Sequence, residues 1–331
     1  MSALPTDPAE LFERARQDDR VALARLLSLV ERGGESGLAV AGLAYRGSVP
    51  YTLGLTGAPG SGKSTMTDRL ITVARTGWPG STGSTGSTAQ APEAVDQVGV
   101  LAVDPTSPFS GGAILGDRVR MQQHALDPSV FIRSMATRGH LGGLALAVPD
   151  AVRVLGAAGL PVVLIETVGV GQMEVDIASA ADTTVVVVTP GWGDSMQANK
   201  AGLLEIADLF VINKADRPGV REARRDLEQM LDLSSLGDWR PPIVETTAST
   251  GDGIEDLWAE IARHREFLMA TDALEERRAE RLAHELRRVL LARSAARIAE
   301  VASGEEFAGA VKAMAAGELD PYQAADRVLP V

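Results

Sequence analysis

The chain has 331 residues, room for one large α/β domain with appendages, and its 45% hydrophobic content supports a core of Leu, Val, Ile and Ala, since aromatics reach only 4%. A formal net charge of −12, from 32 basic and 44 acidic residues, argues against broad binding of nucleic acid or anionic membranes. The absence of cysteine excludes disulfides, thiolate metal sites and cysteine nucleophiles. A polar, acidic start and no apolar run approaching ~18 residues lead us to expect a cytoplasmic protein without a membrane span.

Residues 1–48 are expected to form a helical extension. Leu11, Phe12 and Ala15 recur at helical spacing, as do Val21, Leu23, Ala24, Leu27 and Val30, and Gly33 and Gly34 then stop a two-helix cap. Tyr51 to Leu55 reads as a buried strand, followed by Gly57, Gly62, Lys63 and Ser64 in the pattern G-x-x-x-x-G-K-S. Met66, Leu70, Ile71 and Ala74 then recur at helical spacing. Strand, glycine loop and helix are the setting of a P-loop. Its glycines let successive N–H groups turn inward around a triphosphate, and the helix start adds its positive dipole end. The expected phosphate cradle is Gly57, Ala58, Pro59, Gly60, Ser61, Gly62, Lys63, Ser64 and Thr65. Lys63 would reach the β- and γ-phosphates and Ser64 would ligate Mg. From Arg75 to Gln97 the Gly-Ser-Thr repeats cannot bury apolar surface and read as a solvated loop.

Val98 to Val103 is expected to be a parallel-type strand ending at Asp104, with a helix over 113–125 that places Asp117 near its start. Both carboxylates are candidates to approach Mg, and Ser110, Gly111 and Gly112 form a flexible segment of switch type. Arg118, Arg120, Arg133 and Arg138 are candidates for charge stabilisation on a transferring phosphoryl group, although each alone reads more readily as a surface or salt-bridge residue. His124 and His140 are isolated and read as packing residues. The segments "VFIRSM", "PVVLIET", "TTVVVV", "DLFVIN" and "PPIVET" continue the strands, and their alternation with helices predicts a mostly parallel sheet covered on both faces. Ligands of such sheets sit at the carboxyl ends of strands, where every polar motif of this chain falls.

"ETVGVGQ" stands at the usual D-x-x-G position. Gly169 would present its N–H to the γ-phosphate, and Glu166 would bind Mg directly or through water. Gln172 is the candidate to orient the attacking water, three residues after Gly169. "NKAD" supplies base recognition: Asp216 can accept from guanine N1–H and the exocyclic amine, Asn213 holds the base edge and nearby loops, and the Lys214 stem lies along the ring. "ETTAS" adds Thr247 and Ala248, the latter offering its N–H to guanine O6. Beyond Ile254 the chain is helical and charged, with Leu274, Leu282, Leu286, Val289, Leu290 and Ile298 periodic. Such a helix either packs back or pairs with another chain. The expected organisation is a helical extension over 1–48, a P-loop NTPase domain over 49–265 and a second helical extension over 266–331.

The run "VDPTSPFSGGAILGDRVRM…FIRSMATRGHLGGLA…ETVGVGQMEVDI…TPGWGDSMQANKAGLLEIAD…NKAD" resembles the MeaB/ArgK/MMAA GTPases over nearly the whole chain. These are chaperones of adenosylcobalamin-dependent acyl-CoA mutases, chiefly methylmalonyl-CoA mutase. The resemblance implies a Mg-dependent GTPase that binds GTP and GDP, forms a homodimer through its C-terminal extension, gates cofactor loading and protects the mutase. It also implies that Asp104, Asp117 and Glu166 are the Mg-site carboxylates and that Lys200 lies in a third switch. Two readings stand for Lys200. It moves toward the γ-phosphate when a mutase holds the loop, in which case Trp192 and Met196 serve as contact surface, or it opens the following helix in solvent.

Departures from the family pattern are Thr106 and Ala113, where serine is common, and Trp192, Ser195, Met196, Ala198 and Asn199 in the third switch. These leave open a mutase related to the methylmalonyl type. A metallochaperone-type GTPase is the alternative reading, set back by four scattered His and no Cys. A transport-system kinase is a weaker one, since no stretch declares a second-substrate site.

Overall fold

In the computed structural model, described for residues 7–76, 95–104, 124, 126–136, 147–167, 180–192, 200–234 and 237–329, the chain forms two compact units, residues 1–277 and 278–331. The first is built on seven strands: β1 Tyr51–Thr56, β2 Val98–Asp104, β3 Val130–Ala136, β4 Val162–Thr167, β5 Thr183–Val188, β6 Leu209–Asn213 and β7 Ile243–Thr246. They form one sheet in the order β3-β2-β4-β1-β5-β6-β7, every pair parallel. Segments such as "VVLIET" and "TTVVVV" are buried at every residue, which is why they read as apolar runs and not as alternating patterns.

The period of two along each strand divides the core between the two faces. Leu101, Val103 and Ile165 face an apolar layer made by α1 Pro8–Ala15, α2 Arg20–Arg32, α3 Gly34–Ala44 and, later in the chain, a helix over Ala147–Ala157. Val100, Leu164, Val185 and Val187 face the other way, onto Met66, Leu70 and Ile71 of α4 Lys63–Thr76 and onto Leu257, Trp258 and Ile261 of the helix Ile254–Ala270. In chain order the remaining helices among the described residues are α5 Ala147–Ala157, α6 Lys200–Ile206, α7 Val220–Asp232, α8 Ile254–Ala270, α9 Ala273–Ala302, α10 Glu305–Ala315 and α11 Pro321–Val328.

The N-terminal extension corrects one expectation: it holds three helices, not two. Gly33, at φ 69°, ends α2 and starts α3 at once, so the glycine pair turns the chain into another helix. Asp7 and Asp19 cap α1 and α2 with their side chains. Hydrogen bonds from Ala22 N–H and Arg14 hold the Asp19 carboxyl below its ordinary pKa, against the opposing effect of burial.

At the amino ends of the strands, opposite the P-loop, a buried polar network fastens α8 and the start of α9. Asp208 Oδ2 accepts from Thr184 N–H at 2.8 Å, and its Oδ1 lies 2.8 Å from Arg277 and 3.3 Å from His264 Nε2. His264 is fully buried, with Nδ1 2.7 Å from Thr183 Oγ1, which also bonds the Tyr51 hydroxyl. Burial alone would raise the Asp208 pKa, but the hydrogen bonds and charges of His264 and Arg277 outweigh it and hold the carboxyl below the ordinary range. Burial likewise works against the Arg277 cation, and Asp208 more than compensates. The Tyr51 hydroxyl is pushed well above the usual phenol by burial, with partial relief from Thr183.

The second unit, taken alone, contains the rest of α9 with α10 and α11. Ala310 and Ala324 are its buried residues, and Asp320 with Gln323 forms a capping box at the start of α11. No residue of α9 is buried, and Leu282, Leu286 and Leu290 are 41%, 59% and 53% exposed. Among the described residues no helix is long and apolar enough to cross a membrane.

Candidate nucleotide site

The carboxyl ends of β1, β4, β6 and β7 bring four polar segments together. After Thr56 the chain enters the glycine loop and α4 starts at Lys63, its first backbone bond running from Met66 N–H to Gly62 O at 2.9 Å. The N–H groups of the first helical turn therefore open onto the loop. Gly57 has φ 134°, and a Cβ there would lie 2.1 Å from Val187 O of β5. Only glycine lets the loop lie this close to the neighbouring strand. Lys63 is 5% exposed and its ammonium bonds Gly57 O at 2.7 Å and Ala58 O at 3.0 Å, which fixes it over the loop. Ala58, Pro59 and Gly60 form the partly open rim, Ser61 is buried, and Thr65 is exposed on the first turn of α4.

Ser64 Oγ donates to Glu166 Oε1 at 2.5 Å, with both residues buried. The contact follows from topology, because β4 lies beside β1 and pairs Glu166 with Leu55. On its other side β4 pairs Glu166 with Ala102, two residues short of Asp104 at the end of β2. A hydroxyl and a carboxylate joined this closely are the hard oxygen donors that Mg takes, so the residues present fit that ion. Asp117, Gly169 and Gln172 lie outside the described residues. Among the described residues there is no group of three or more His, Cys, Asp or Glu that could hold a metal ion.

The base-reading segments interlock with the phosphate loop. Asn213, 2% exposed at the end of β6, donates to Ser61 O at 2.7 Å and accepts from Thr246 Oγ1 and Ala248 N–H, each at 3.1 Å. A Cβ on Gly62 would meet its Nδ2 at 2.2 Å. Lys214, in the left-handed region at φ 62°, donates to Gly60 O at 2.6 Å. Asp216 is exposed and has no hydrogen-bond partner among the described residues. Thr247 N–H donates to Asp252 O at 2.9 Å, closing a tight loop that carries Ala248. Because the Ala248 N–H already serves Asn213, offering it to a guanine O6 requires that bond to be shared.

Other candidates fall elsewhere. Arg133 bonds Glu31 at 2.6 Å and Ser28 at 3.2 Å, so it ties β3 to α2 and does not face the phosphates. His124 packs on α4, 3.0 Å from Asp68 O and 3.3 Å from Thr72. Trp192 corrects an expectation: at 5% exposure it packs with Val186, Val188 and Phe210 as core, not as contact surface. Lys200 is the first residue of α6. Arg118, Arg120, Arg138, His140 and Met196 lie outside the described residues. Arg69 was not singled out from the sequence, yet it reaches Ala248 O and Ser249 O from α4; nothing local distinguishes it from other surface arginines.

A parallel sheet whose P-loop interlocks with an N-K-x-D loop at its carboxyl edge is the framework of a P-loop GTPase. The profile of the family described as "Methylmalonyl Co-A mutase-associated GTPase MeaB" matches residues 71–302. A protein of Pyrococcus abyssi, provisionally assigned as a GTPase, is 47% identical over 97% of this chain and 95% of its own. GTPase ArgK of Escherichia coli is 34% identical over 85% of this chain and 82% of its own. The crystal structure of a protein titled LAO/AO transport system kinase shares the fold at a TM-score of 0.68, with 24% identity, over 99% of this chain and 98% of that one. The chain belongs to the MeaB family of GTPases. The profile match begins within α4, so the P-loop is established by its own residues and geometry.

Proposed function

We propose that this protein binds Mg–GTP at the carboxyl edge of its sheet, hydrolyses it to GDP and phosphate, and acts as chaperone of an adenosylcobalamin-dependent acyl-CoA mutase, of the methylmalonyl type or a close relative. The observation that carries the nucleotide reading is Asn213, whose side chain joins the phosphate loop at Ser61 to the base loops at Thr246 and Ala248. One ligand with both a triphosphate and a base fits such a junction. Lys63 and the N–H groups at the start of α4 hold the phosphates, while Asp216, Lys214, Thr247 and Ala248 hold the base. Ser64 and Glu166, with Asp104 and Asp117, would hold Mg, which would supply charge neutralisation to the phosphates. In this reading Gly169 N–H would serve the γ-phosphate, Gln172 would orient the attacking water, and Lys200 would bring positive charge when a mutase engages its segment.

The mutase assignment rests on the family description, which names a methylmalonyl-CoA mutase-associated GTPase. The exposed Leu282, Leu286 and Leu290 support pairing of two copies through α9. The transport-system kinase reading predicts a phosphorylated acceptor, and the metallochaperone reading predicts a bound nickel-type ion. Incubation with γ-labelled GTP should yield free phosphate with no labelled protein, and GTP should bind far more tightly than ATP in calorimetry. Equal binding of both nucleotides would overturn the guanine reading, and label retained on protein would overturn the hydrolase reading. Co-elution with a cobalamin mutase on gel filtration tests the chaperone part, and separate elution with either nucleotide would remove it.

A further inference from the structure

The guanine loop is held from two sides, and only one of them belongs to the N-K-x-D machinery. From β6, Asn213 takes Thr246 Oγ1 and the Ala248 N–H. From α4, Arg69 donates through Nε to Ala248 O at 3.1 Å and through Nη2 to Ser249 O at 2.8 Å. The two residues are 179 and 180 positions away in sequence, so the contact exists only because α4 and α8 cover the same face of the sheet. Both nitrogens of one guanidinium edge are used on consecutive carbonyls, a fork a lysine cannot reproduce. The loop has little freedom of its own: Thr247 and Asp252 form a bridge, and a Cβ on Gly253 would lie 2.1 Å from Glu245 O.

We infer that Arg69 is a positioning residue for base recognition. By holding the carbonyls of Ala248 and Ser249 it fixes the backbone just after the Ala248 N–H, the group that guanine O6 would share with Asn213. Arg69 lies six residues beyond Lys63 on a continuous helix, roughly 9 Å along its axis. The helix whose first turn meets the phosphates thereby also sets where the base loop stands. The chemistry recognised is that of a purine 6-oxo group on a nucleotide whose phosphates occupy the P-loop. This inference rests on the proposed guanine reading.

The test uses the full-length protein loaded with a fluorescent GDP analogue. Arg69→Ala should speed release of GDP about tenfold, because two charge-assisted hydrogen bonds at a partly buried site are lost. It should also shrink the preference for GDP over 6-thio-GDP, which differs only in the atom Ala248 reads. Arg69→Lys, able to reach one carbonyl at a time, should fall between. A merely structural arginine would lower the melting temperature without changing that preference. The inference is overturned if folded Arg69→Ala keeps the parent's preference; should that variant not fold, an unchanged preference in Arg69→Lys overturns it equally. If the parent itself shows no preference for GDP over ADP, it is the guanine reading that fails. If the parent discriminates and the variants do so equally, only the role of Arg69 fails.

Discussion

Three glycines of one loop carry different constraints, and adding a single methyl group to each separates them. At Gly57 the added Cβ would lie 2.1 Å from Val187 O, 3.0 Å from its carbonyl carbon and 3.2 Å from its nitrogen. All three atoms belong to a central strand hydrogen-bonded on both sides, so the loop must move by more than 1 Å, on the order of the distance needed to restore normal contact. Overpacking of this kind costs about 1–3 kcal/mol, and strain from φ 134° adds about 1–3 kcal/mol. If half of that sum falls on the loop's ability to close on phosphate, affinity drops by roughly five- to a hundred-and-fiftyfold. At Gly62 the obstacle is Asn213 Nδ2 at 2.2 Å, a side chain locked by three hydrogen bonds, so Gly62→Ala should displace Asn213 and loosen the base site with the phosphate site. At Gly60, φ is +75° but no atom lies within 4 Å. Gly60→Ala carries only left-handed strain of about 1–2 kcal/mol, present with and without ligand, and affinity should change less than about fivefold. Titration of a fluorescent GDP analogue with Mg, beside thermal melts, reads the order. Equal losses at Gly57 and Gly60, or a Gly57→Ala protein that binds like the parent, would refute this account of the loop.

The other predictions concern the base, the buried network and the extensions. Asp216→Asn should abolish the preference for GTP over ATP in calorimetry, since Asn presents a donor where guanine presents donors. Asp208→Asn should lower stability at pH 7 by about 1–3 kcal/mol, below the range for a fully buried pair because Arg277 is 39% exposed. The sign with pH follows from the lowered pKa of Asp208: its contribution is complete above the unfolded value near ~4 and disappears as pH falls through the lower folded value. Denaturation midpoints of parent and variant should therefore stay apart from pH 7 down to about 4 and converge only below it. Sedimentation should give twice the 34.7 kDa chain mass, and truncation after Arg277, which keeps the bridge to Asp208, should leave a monomer that still binds GTP. A truncated chain that remains dimeric would place the interface elsewhere.

Much of this architecture is legible in the residues because local and global signals agree. Buried parallel strands read as apolar runs, and the P-loop and N-K-A-D segments carry spacing that few other structures require. The third N-terminal helix was not legible. "GESGLAVAGLA" is apolar on nearly all sides and holds three glycines, so it shows no stripe, and its opening glycine pair looks like a terminator. Trp192 looked like loop surface because its glycine neighbours suggest an exposed turn, whereas Thr189 O and Trp192 N–H close a turn that folds the indole back into the core. The network of Tyr51, Thr183, Asp208, His264 and Arg277 spans more than 200 positions and exists only through the strand order. The one hint was an aspartate immediately before each of two apolar strands, Asp182 and Asp208. Arg69 had no hint at all, since its partners are backbone carbonyls.

The central claim, that GTP hydrolysis is coupled to a cobalamin-dependent mutase, is tested most directly by the rate of phosphate release from GTP with and without stoichiometric methylmalonyl-CoA mutase. The account predicts a rise of at least about tenfold with the mutase, most of it lost in Lys200→Ala while GTP affinity and the basal rate stay within about twofold. A rate unmoved by methylmalonyl-CoA mutase and by related cobalamin-dependent acyl-CoA mutases would contradict it.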